Sequence, residues 1–193
     1  PTGAGKSLCY QVPALLLDRP TIVVSPLIAL MDNQVEALRL NGVEAGAIHS
    51  GLSRDEQVAN WKDFASGCSR LLYLSPERLM TDRMLAAVEK IDPALIVVDE
   101  AHCISKWGVS FRPEYEQLSE LCERFPNAAI GAFTATADVA TRKDIAQKLF
   151  RGRGSIIVQG FDRPNLRLAV SSKRNWKDQL LSFLEEKDGL SGI

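Results

Sequence analysis

Short apolar runs alternate along this chain with longer segments that have the periodicity of helices. Runs that are apolar at successive positions are typical of strands buried on both faces of a sheet. Because strands alternate with helices, the pattern predicts an α/β fold in three layers, with a mainly parallel central sheet and right-handed crossovers. The predicted strands are 21–25, 45–49, 71–75, 95–99, 129–134 and 155–158. The predicted helices are 6–17, 28–41, 53–66, 82–91, 113–124, 138–150 and 176–187.

Chain length and net charge limit the classes of protein to consider. A chain of 193 residues with 46% hydrophobic side chains can form one well-buried domain and is too short for two of ordinary size. We expect that domain over 1–165, followed over 166–193 by a linker and the truncated start of a second domain. The net charge of −1 does not mark a polyanion-binding protein, so any nucleic acid would bind at a local site.

The cysteines and the two ends of the chain indicate its setting. The four cysteines are scattered without a C-x-x-C pair, which argues against a zinc knuckle or a disulfide framework. There is no charged leader, and no apolar run approaches the roughly 20 residues of a bilayer span, so a cytoplasmic protein is expected. The chain opens directly into a phosphate-loop sequence, so we expect the strand that precedes such a loop to be missing from it.

The first seven residues match the later part of the phosphate-loop pattern G-x-x-x-x-G-K-[ST]. The glycines in it would let backbone N–H groups turn toward phosphate oxygens at a helix N-terminus. Lys6 is predicted to reach the β and γ phosphates, and the hydroxyl of Ser7 to bind Mg²⁺. A glycine-rich turn that merely starts a helix would look similar. The residues predicted to hold ATP are Thr2, Gly3, Ala4, Gly5, Lys6 and Ser7.

Two carboxylates, Asp99 and Glu100, stand at the end of the apolar run that begins at residue 95. Burying adjacent charges is costly without a cation, and Mg²⁺ held through Asp99 would supply one. Glu100 would then face an attacking water and serve as the general base for hydrolysis of the γ-phosphate. An acidic turn exposed at a strand end is the alternative, and the phosphate loop upstream argues against it.

Two further strand ends carry candidate contacts to nucleic acid. Thr134 and Thr136 have hydroxyls that could link the nucleotide side to the nucleic-acid side, although threonines are also ordinary strand-end and cap residues. Ser25 and Pro26 end a predicted strand and open a helix, where backbone amides could hold a phosphate of a single strand. Helix capping explains this second pair about as well.

A loop with two large aromatic residues, Trp107 and Phe111, follows the carboxylates, contains Arg112 and is closed by Pro113. Aromatic faces stack on bases, and an arginine can pair with a phosphate or stack. A loop that contacts both DNA and the ATP site would couple the two. The alternative is a loop that its aromatic side chains pin to the core, and composition does not separate the two.

In their order along the chain, these segments resemble the RecQ family of superfamily 2 helicases from residue 1 to about residue 166. The run from Asp99 to Ser105, with the aromatic residues up to Tyr115, is similar to that family's DEAH box joined to its aromatic-rich loop. The resemblance implies the first RecA-like domain of an ATP- and Mg²⁺-dependent DNA helicase that moves 3′ to 5′ on single-stranded and partly duplex DNA. DNA repair and recombination are the implied processes. It further implies that His102 links the nucleotide to a second RecA-like domain, and that the aromatic loop couples DNA binding to hydrolysis.

The chain departs from the family pattern inside this loop. Where the family usually has Gly-His-Asp, this chain has Val109 and Ser110 after the glycine, which removes two polar groups. Two other functions compete with a DNA helicase. An RNA helicase of the related DEAD or DEAH groups would not be expected to carry the 107–112 loop. A nucleotide-binding module that no longer hydrolyses ATP would not need both Asp99 and Glu100.

Overall fold

The structure is a computed structural model that describes residues 5–106, 110–159, 166, 169–187 and 189. The chain divides into two compact units, 1–159 and 160–193. The first unit contains every described residue that the sequence predicts to be functional.

The first unit is built on a sheet of five parallel strands in the order β2-β3-β1-β4-β5. The strands are β1 Thr21–Val24, β2 Ala45–Ile48, β3 Leu71–Leu74, β4 Leu95–Val98 and β5 Ala129–Ala132. The parallel sheet predicted from the continuous apolar runs is therefore confirmed.

Helices cover both faces of this sheet. They are α1 Leu8–Leu16, α2 Ile28–Leu40, α3 Arg54–Ala65, α4 Pro76–Leu79, α5 Asp82–Ile91, α6 Pro113–Glu116, α7 Leu121–Arg124 and α8 Val139–Phe150. Val23 of β1 packs in one buried cluster with residues of α1 and α2. Its neighbours Ile22 and Val24 belong to a second cluster with α5 and α8. Successive residues of one strand thus face opposite helical layers, which makes the three-layer arrangement.

The prediction of a strand at 155–158 is wrong. These residues form no strand within the described part of the chain, and they are exposed, Ile157 to 89%. A strand needs a neighbour to accept and donate its backbone hydrogen bonds, and an apolar run does not by itself supply one.

The predicted helix 113–124 is also different in the structure. It consists of α6, a 3-10 turn at Gln117–Glu120 and α7. The buried residues Tyr115, Leu118 and Leu121 lie three positions apart. That spacing matches the 3.0 residues per turn of the 3-10 conformation that the segment has in its middle.

The second unit contains the helix α9 Trp176–Glu185, which lies within the predicted helix 176–187. Its residues are exposed. The side chain of Gln179 holds the preceding segment by donating a hydrogen bond of 3.0 Å to the carbonyl of Ser172. Across the described residues of both units, no helix has the length and apolar character that a membrane crossing requires.

Candidate functional site

Three strand ends meet at one edge of the sheet. In the register of the sheet, Val24 of β1 lies opposite Val98 of β4, and Val98 lies opposite Ala132 of β5. The next residue on each strand is therefore at the same level: Ser25, Asp99 and Phe133. Ligands of parallel α/β sheets bind beyond this carboxyl edge, and the described site residues Ser25, Asp99 and Thr134 follow the strands there.

The described part of the phosphate loop turns into α1 at this edge. Gly5 has a φ of +71°, a left-handed conformation that glycine adopts without strain, and the backbone N–H of Leu8 donates to its carbonyl at 3.0 Å. The hydroxyl of Ser7 is not used to cap α1 within the described residues, so helix capping does not account for this serine. The predicted ATP contacts at Thr2, Gly3 and Ala4 lie outside the described residues.

Asp99 is a buried carboxyl group, with 8% of its surface exposed. Burial raises its pKa above the ordinary value and the charge of Glu100 adds to this, while the Glu100 N–H, the Lys6 ammonium and the Tyr10 hydroxyl act in the opposite direction. The Lys6 ammonium thus favours the charged form of this carboxylate. A buried carboxylate is costly in its charged form unless cations lie beside it.

The chemistry of these donors fits a magnesium ion. Mg²⁺ is typically held by one or two protein oxygens together with water and phosphate oxygens, and the side chains of Ser7 and Asp99 are oxygen donors of that kind. The described residues include no cluster of three or more His, Cys, Asp and Glu side chains that could enclose a metal. A cation at Asp99 would therefore draw most of its ligands from a nucleotide and water.

Glu100 has a left-handed backbone, with φ 49° and ψ 42°. For a residue with a side chain this conformation costs about 1–3 kcal/mol and persists only where neighbouring contacts enforce it. Here the Oδ1 of Asp99 accepts from the Glu100 N–H at 3.0 Å, and the Ala101 N–H donates to the carbonyl of Phe133 at 2.9 Å. The turn holds the Glu100 carboxylate beside His102 instead of letting it follow the strand.

His102 connects Glu100 to the end of β5. Its Nδ1 lies 3.2 Å from Oε2 of Glu100 and 2.9 Å from Oγ1 of Thr134. The Thr134 hydroxyl in turn accepts from the backbone N–H of Thr136 at 3.2 Å. Four of the predicted site residues thus form one continuous polar contact between the turn after β4 and the segment after β5.

Arg112 links the aromatic loop to the segment between β1 and α2. Its guanidinium donates to the carbonyl of Pro26 at 3.1 Å, and its backbone N–H donates to the carbonyl of Cys103 at 2.9 Å. Phe111 is half-buried, with the Lys106 ammonium 5.8 Å from the centre of its ring. Trp107 lies outside the described residues.

Ser25 ends β1 with a buried hydroxyl. Its Oγ has no hydrogen-bond partner in the described part of the chain, and no side chain caps α2, which begins three residues later. A buried hydroxyl without a partner is uncommon, because it gives up its hydrogen bonds to water without replacement. The alternative of simple helix capping by Ser25 is therefore wrong.

Several side chains around Asp99 were not predicted from the sequence. The buried hydroxyl of Tyr115 donates to the backbone carbonyl of Asp99 at 2.9 Å, and burial raises the pKa of Tyr115, which keeps it a donor. Tyr10 packs edge-on against Phe133, with ring centres 5.2 Å apart. Gln11 and Tyr73 lie beside it. The available signals were a polar hydroxyl inside the apolar run of β3 and a tyrosine and glutamine facing the core from α1.

The chain is similar to helicases in sequence. The sequence model of the DEAD/DEAH box helicase family matches residues 1–145. ATP-dependent DNA helicase RecQ of Haemophilus influenzae is 45% identical over 192 residues, which cover 100% of this chain and 31% of that protein. ATP-dependent DNA helicase RecQ of Bacillus subtilis is 41% identical over 182 residues, which cover 94% of this chain and 31% of that protein. These identities confirm the resemblance to RecQ helicases, and the chain spans less than a third of either relative.

A solved structure supports the fold. The crystal structure of a hypothetical ATP-dependent RNA helicase from Sulfolobus tokodaii matches with a TM-score of 0.58 over 78% of this chain and 44% of that chain, at 19% identity. At this identity the likeness concerns the fold alone, and it confirms the predicted RecA-like α/β domain.

Proposed function

This chain belongs to the DEAD/DEAH box helicase family, and from that membership we propose that it forms the ATP-binding part of a RecQ-type DNA helicase. The observation that carries the proposal is the polar contact from Glu100 through His102 to Thr134, next to a buried carboxylate influenced by Lys6. Such an arrangement can hold a nucleotide, and the contact through His102 can transmit to the segment after β5 whether that nucleotide has been hydrolysed. Since the chain spans about 31% of its relatives, the activity of the whole protein is part of the proposal.

The nucleotide chemistry follows from the positions of the charged groups. Lys6 neutralises the negative charge that shifts between the β and γ phosphates during phosphoryl transfer. The side-chain oxygens of Ser7 and Asp99 are the protein ligands for Mg²⁺. Bound Mg²⁺ would add positive charge against the phosphates. Glu100 accepts a proton from the attacking water, because its backbone conformation turns the carboxylate out of the strand.

The proposed DNA surface lies at the same edge of the sheet. The N-terminus of α2, which no side chain caps among the described residues, suits a phosphate of single-stranded DNA because its backbone N–H groups are hydrogen-bond donors, and Ser25 lies just before it. Arg112 connects that segment to the aromatic loop, where Trp107 and Phe111 can stack on bases. Movement from 3′ to 5′, a role in repair and recombination, and a second RecA-like domain as partner are further parts of the proposal.

The proposed substrate is tested by comparing nucleic acids. We expect the ATPase activity of the full-length protein to rise on addition of single-stranded DNA and to change little with RNA of the same length and sequence. Equal stimulation by RNA would contradict the proposed DNA specificity, and hydrolysis that responds to neither would contradict a helicase motor.

The same assay on Trp107→Ala tests the aromatic loop. Stacking on a base contributes about 1–3 kcal/mol, so this variant should lose most of its DNA stimulation while unfolding at nearly the temperature of the wild type. A tryptophan that only pins the loop to the core gives another result. Its truncation would cost about 3–5 kcal/mol of stability, and all activity would fall with the folded fraction.

Glu100→Gln tests the proposed general base. Glutamine has nearly the shape of glutamate but cannot accept the proton of the attacking water, so we expect hydrolysis to slow by roughly 10²-fold. Binding of a fluorescent ATP analogue with Mg²⁺ should stay measurable. Loss of that binding would mean that Glu100 binds the nucleotide or its metal ion instead of acting as the base. Glu114→Gln, the same substitution at a glutamate of α6, serves as the matched control.

A further inference from the structure

A chain of polar side chains runs between the α1–α2 layer and the sheet. The Nε2 of Gln11 on α1 donates to Oε1 of Gln34 on α2 at 2.8 Å, and it also donates to the hydroxyl of Tyr73 on β3 at 3.0 Å. Gln11 is 7% exposed and Tyr73 is 1% exposed. Three separate elements are thus joined through one amide group inside the core.

The donors and acceptors in this row of side chains define which group donates to which. Both hydrogens of the Gln11 amide are used, one toward α2 and one toward β3, so the Tyr73 oxygen acts as an acceptor. The Tyr73 hydroxyl keeps its own hydrogen, which this bond does not use. Burial raises the pKa of Tyr73, so this hydrogen stays in place.

The next group along the chain is Tyr10, and after it Asp99. Tyr73 and Asp99 lie on the same face of the sheet, because Tyr73 is in register with Val23, Val23 with Val97, and Asp99 follows two residues after Val97. Tyr10 is buried in the same cluster as Tyr73, and its ring packs against Phe133, which lies level with Asp99 in the sheet. Burial raises the pKa of Tyr10, and the neighbouring Tyr73 and Asp99 add to this, so the hydroxyl keeps its hydrogen. Among the described residues this hydroxyl makes no complete hydrogen bond.

Packing alone does not call for polar groups at these positions. The same cluster contains Val23, Met31, Val35 and Val97, and apolar side chains of suitable shape would fill the space without hydrogen bonds. Buried polar networks define one arrangement of the elements that they join, since a shift of either end leaves donors unsatisfied. This network joins α2, whose N-terminus follows Ser25, to the carboxylate of the nucleotide site.

We propose that Gln34, Gln11, Tyr73 and Tyr10 form a relay that couples the position of α2 to the Asp99 carboxylate. The relay rests on the proposed function, because it assumes that DNA acts on the 25–27 segment and that Asp99 serves ATP hydrolysis. It is separate from the contact through His102 and Thr134, which reaches Glu100 and not Asp99. Gln11, Gln34 and Tyr73 are positioning residues: they act on the reaction only through Asp99.

The relay is tested by removing single polar atoms from it and measuring ATP hydrolysis by the full-length protein with and without single-stranded DNA. Tyr73→Phe deletes only the hydroxyl, and Gln34→Leu deletes the acceptor for Gln11. In both variants we expect the ratio of stimulated to basal rate to fall by about 3- to 10-fold, the effect of one buried hydrogen bond. Basal hydrolysis should fall by a smaller factor than hydrolysis with DNA.

Two further variants separate the relay from general damage to the core. Gln34→Glu keeps an oxygen that accepts from Gln11, so it should retain the stimulation that Gln34→Leu loses. Thr21→Val removes another buried hydroxyl of the same sheet, one without a hydrogen-bond partner among the described residues, and should behave like the wild type. Melting temperatures of all variants establish that the proteins compared are folded.

The outcomes distinguish three roles for the network: it couples DNA binding to hydrolysis, it only holds Asp99 in place, or it has no effect on hydrolysis. Normal stimulation in Tyr73→Phe overturns the relay while leaving the proposed function intact. Basal and stimulated rates that fall by the same factor in folded protein also overturn it, because the network would then only hold Asp99 in place. A wild-type protein whose hydrolysis does not respond to DNA overturns the proposed function and the relay with it.

Discussion

Replacing Lys6 with alanine is expected to lower ATP hydrolysis by the full-length protein by about 10³-fold. The ammonium of Lys6, at the end of the phosphate loop, favours the charged form of the buried Asp99 carboxylate. During phosphoryl transfer, negative charge shifts onto the oxygens that this cation would contact, and loss of one such preorganised group costs about 10²–10³ in rate. Lys6 is predicted to reach two phosphates, so we expect the upper end of that range.

Steady-state hydrolysis and nucleotide binding should be measured on the same preparation. Lys143→Ala is the matched control, because Lys143 is an exposed lysine on α8, and it should leave the rate unchanged. Lys6→Arg keeps the charge but not the compact ammonium, so it should remain strongly impaired. Near-normal hydrolysis by a folded Lys6→Ala protein would contradict the assignment of the ATP site.

Residues 1–193 alone are expected to hydrolyse ATP about 10³- to 10⁵-fold more slowly than the full-length protein with DNA. Motors of the proposed type complete their site with an arginine from a second domain, and such arginines contribute 10³–10⁵ in rate where they have been studied. Arg112 lies near the site in the described part of the first unit, but its guanidinium donates a hydrogen bond to the Pro26 carbonyl.

The comparison needs evidence that the short chain is folded. Circular dichroism should have the helical signal expected of the α/β unit, and a cooperative thermal transition should be present. Adding the second domain as a separate polypeptide should restore part of the rate, since the missing group would then be supplied by binding. Turnover by residues 1–193 at a rate close to that of the intact protein would mean that the proposed site needs no second domain.

The sequence by itself determined most of the sheet strands and which residues stand at their ends. A continuous apolar run bounded by turn residues, such as 95–98, is typical of a strand covered on both sides, and a pair of carboxylates after such a run is costly to bury without a cation. The parallel sheet, the helices that cover it and the position of Asp99 and Glu100 follow from this local information. So does the α1 start at the phosphate loop, where glycine and helix signals are contiguous in the chain.

Only the tertiary structure decided which of these segments are neighbours. Hydrophobic periodicity reports burial but not the partner of a strand, so it could not align Ser25, Asp99 and Phe133 at one level. For the same reason the apolar run 155–158 looked like a strand, although it pairs with no strand among the described residues. The left-handed turn at Glu100 is likewise held by the hydrogen bond from the Ala101 N–H to the carbonyl of Phe133, a residue distant in the sequence.

The hydrogen-bond partners around the site are likewise known only from the tertiary structure. The bond from Arg112 to the Pro26 carbonyl spans 86 residues of sequence, and that from Gln11 to Tyr73 spans 62. A polar residue in an apolar segment indicates that a partner exists, because unsatisfied buried groups are costly, but does not identify it. The identity of the partner depends on how helices α1 and α2 are laid on the sheet, which is a property of the packed molecule.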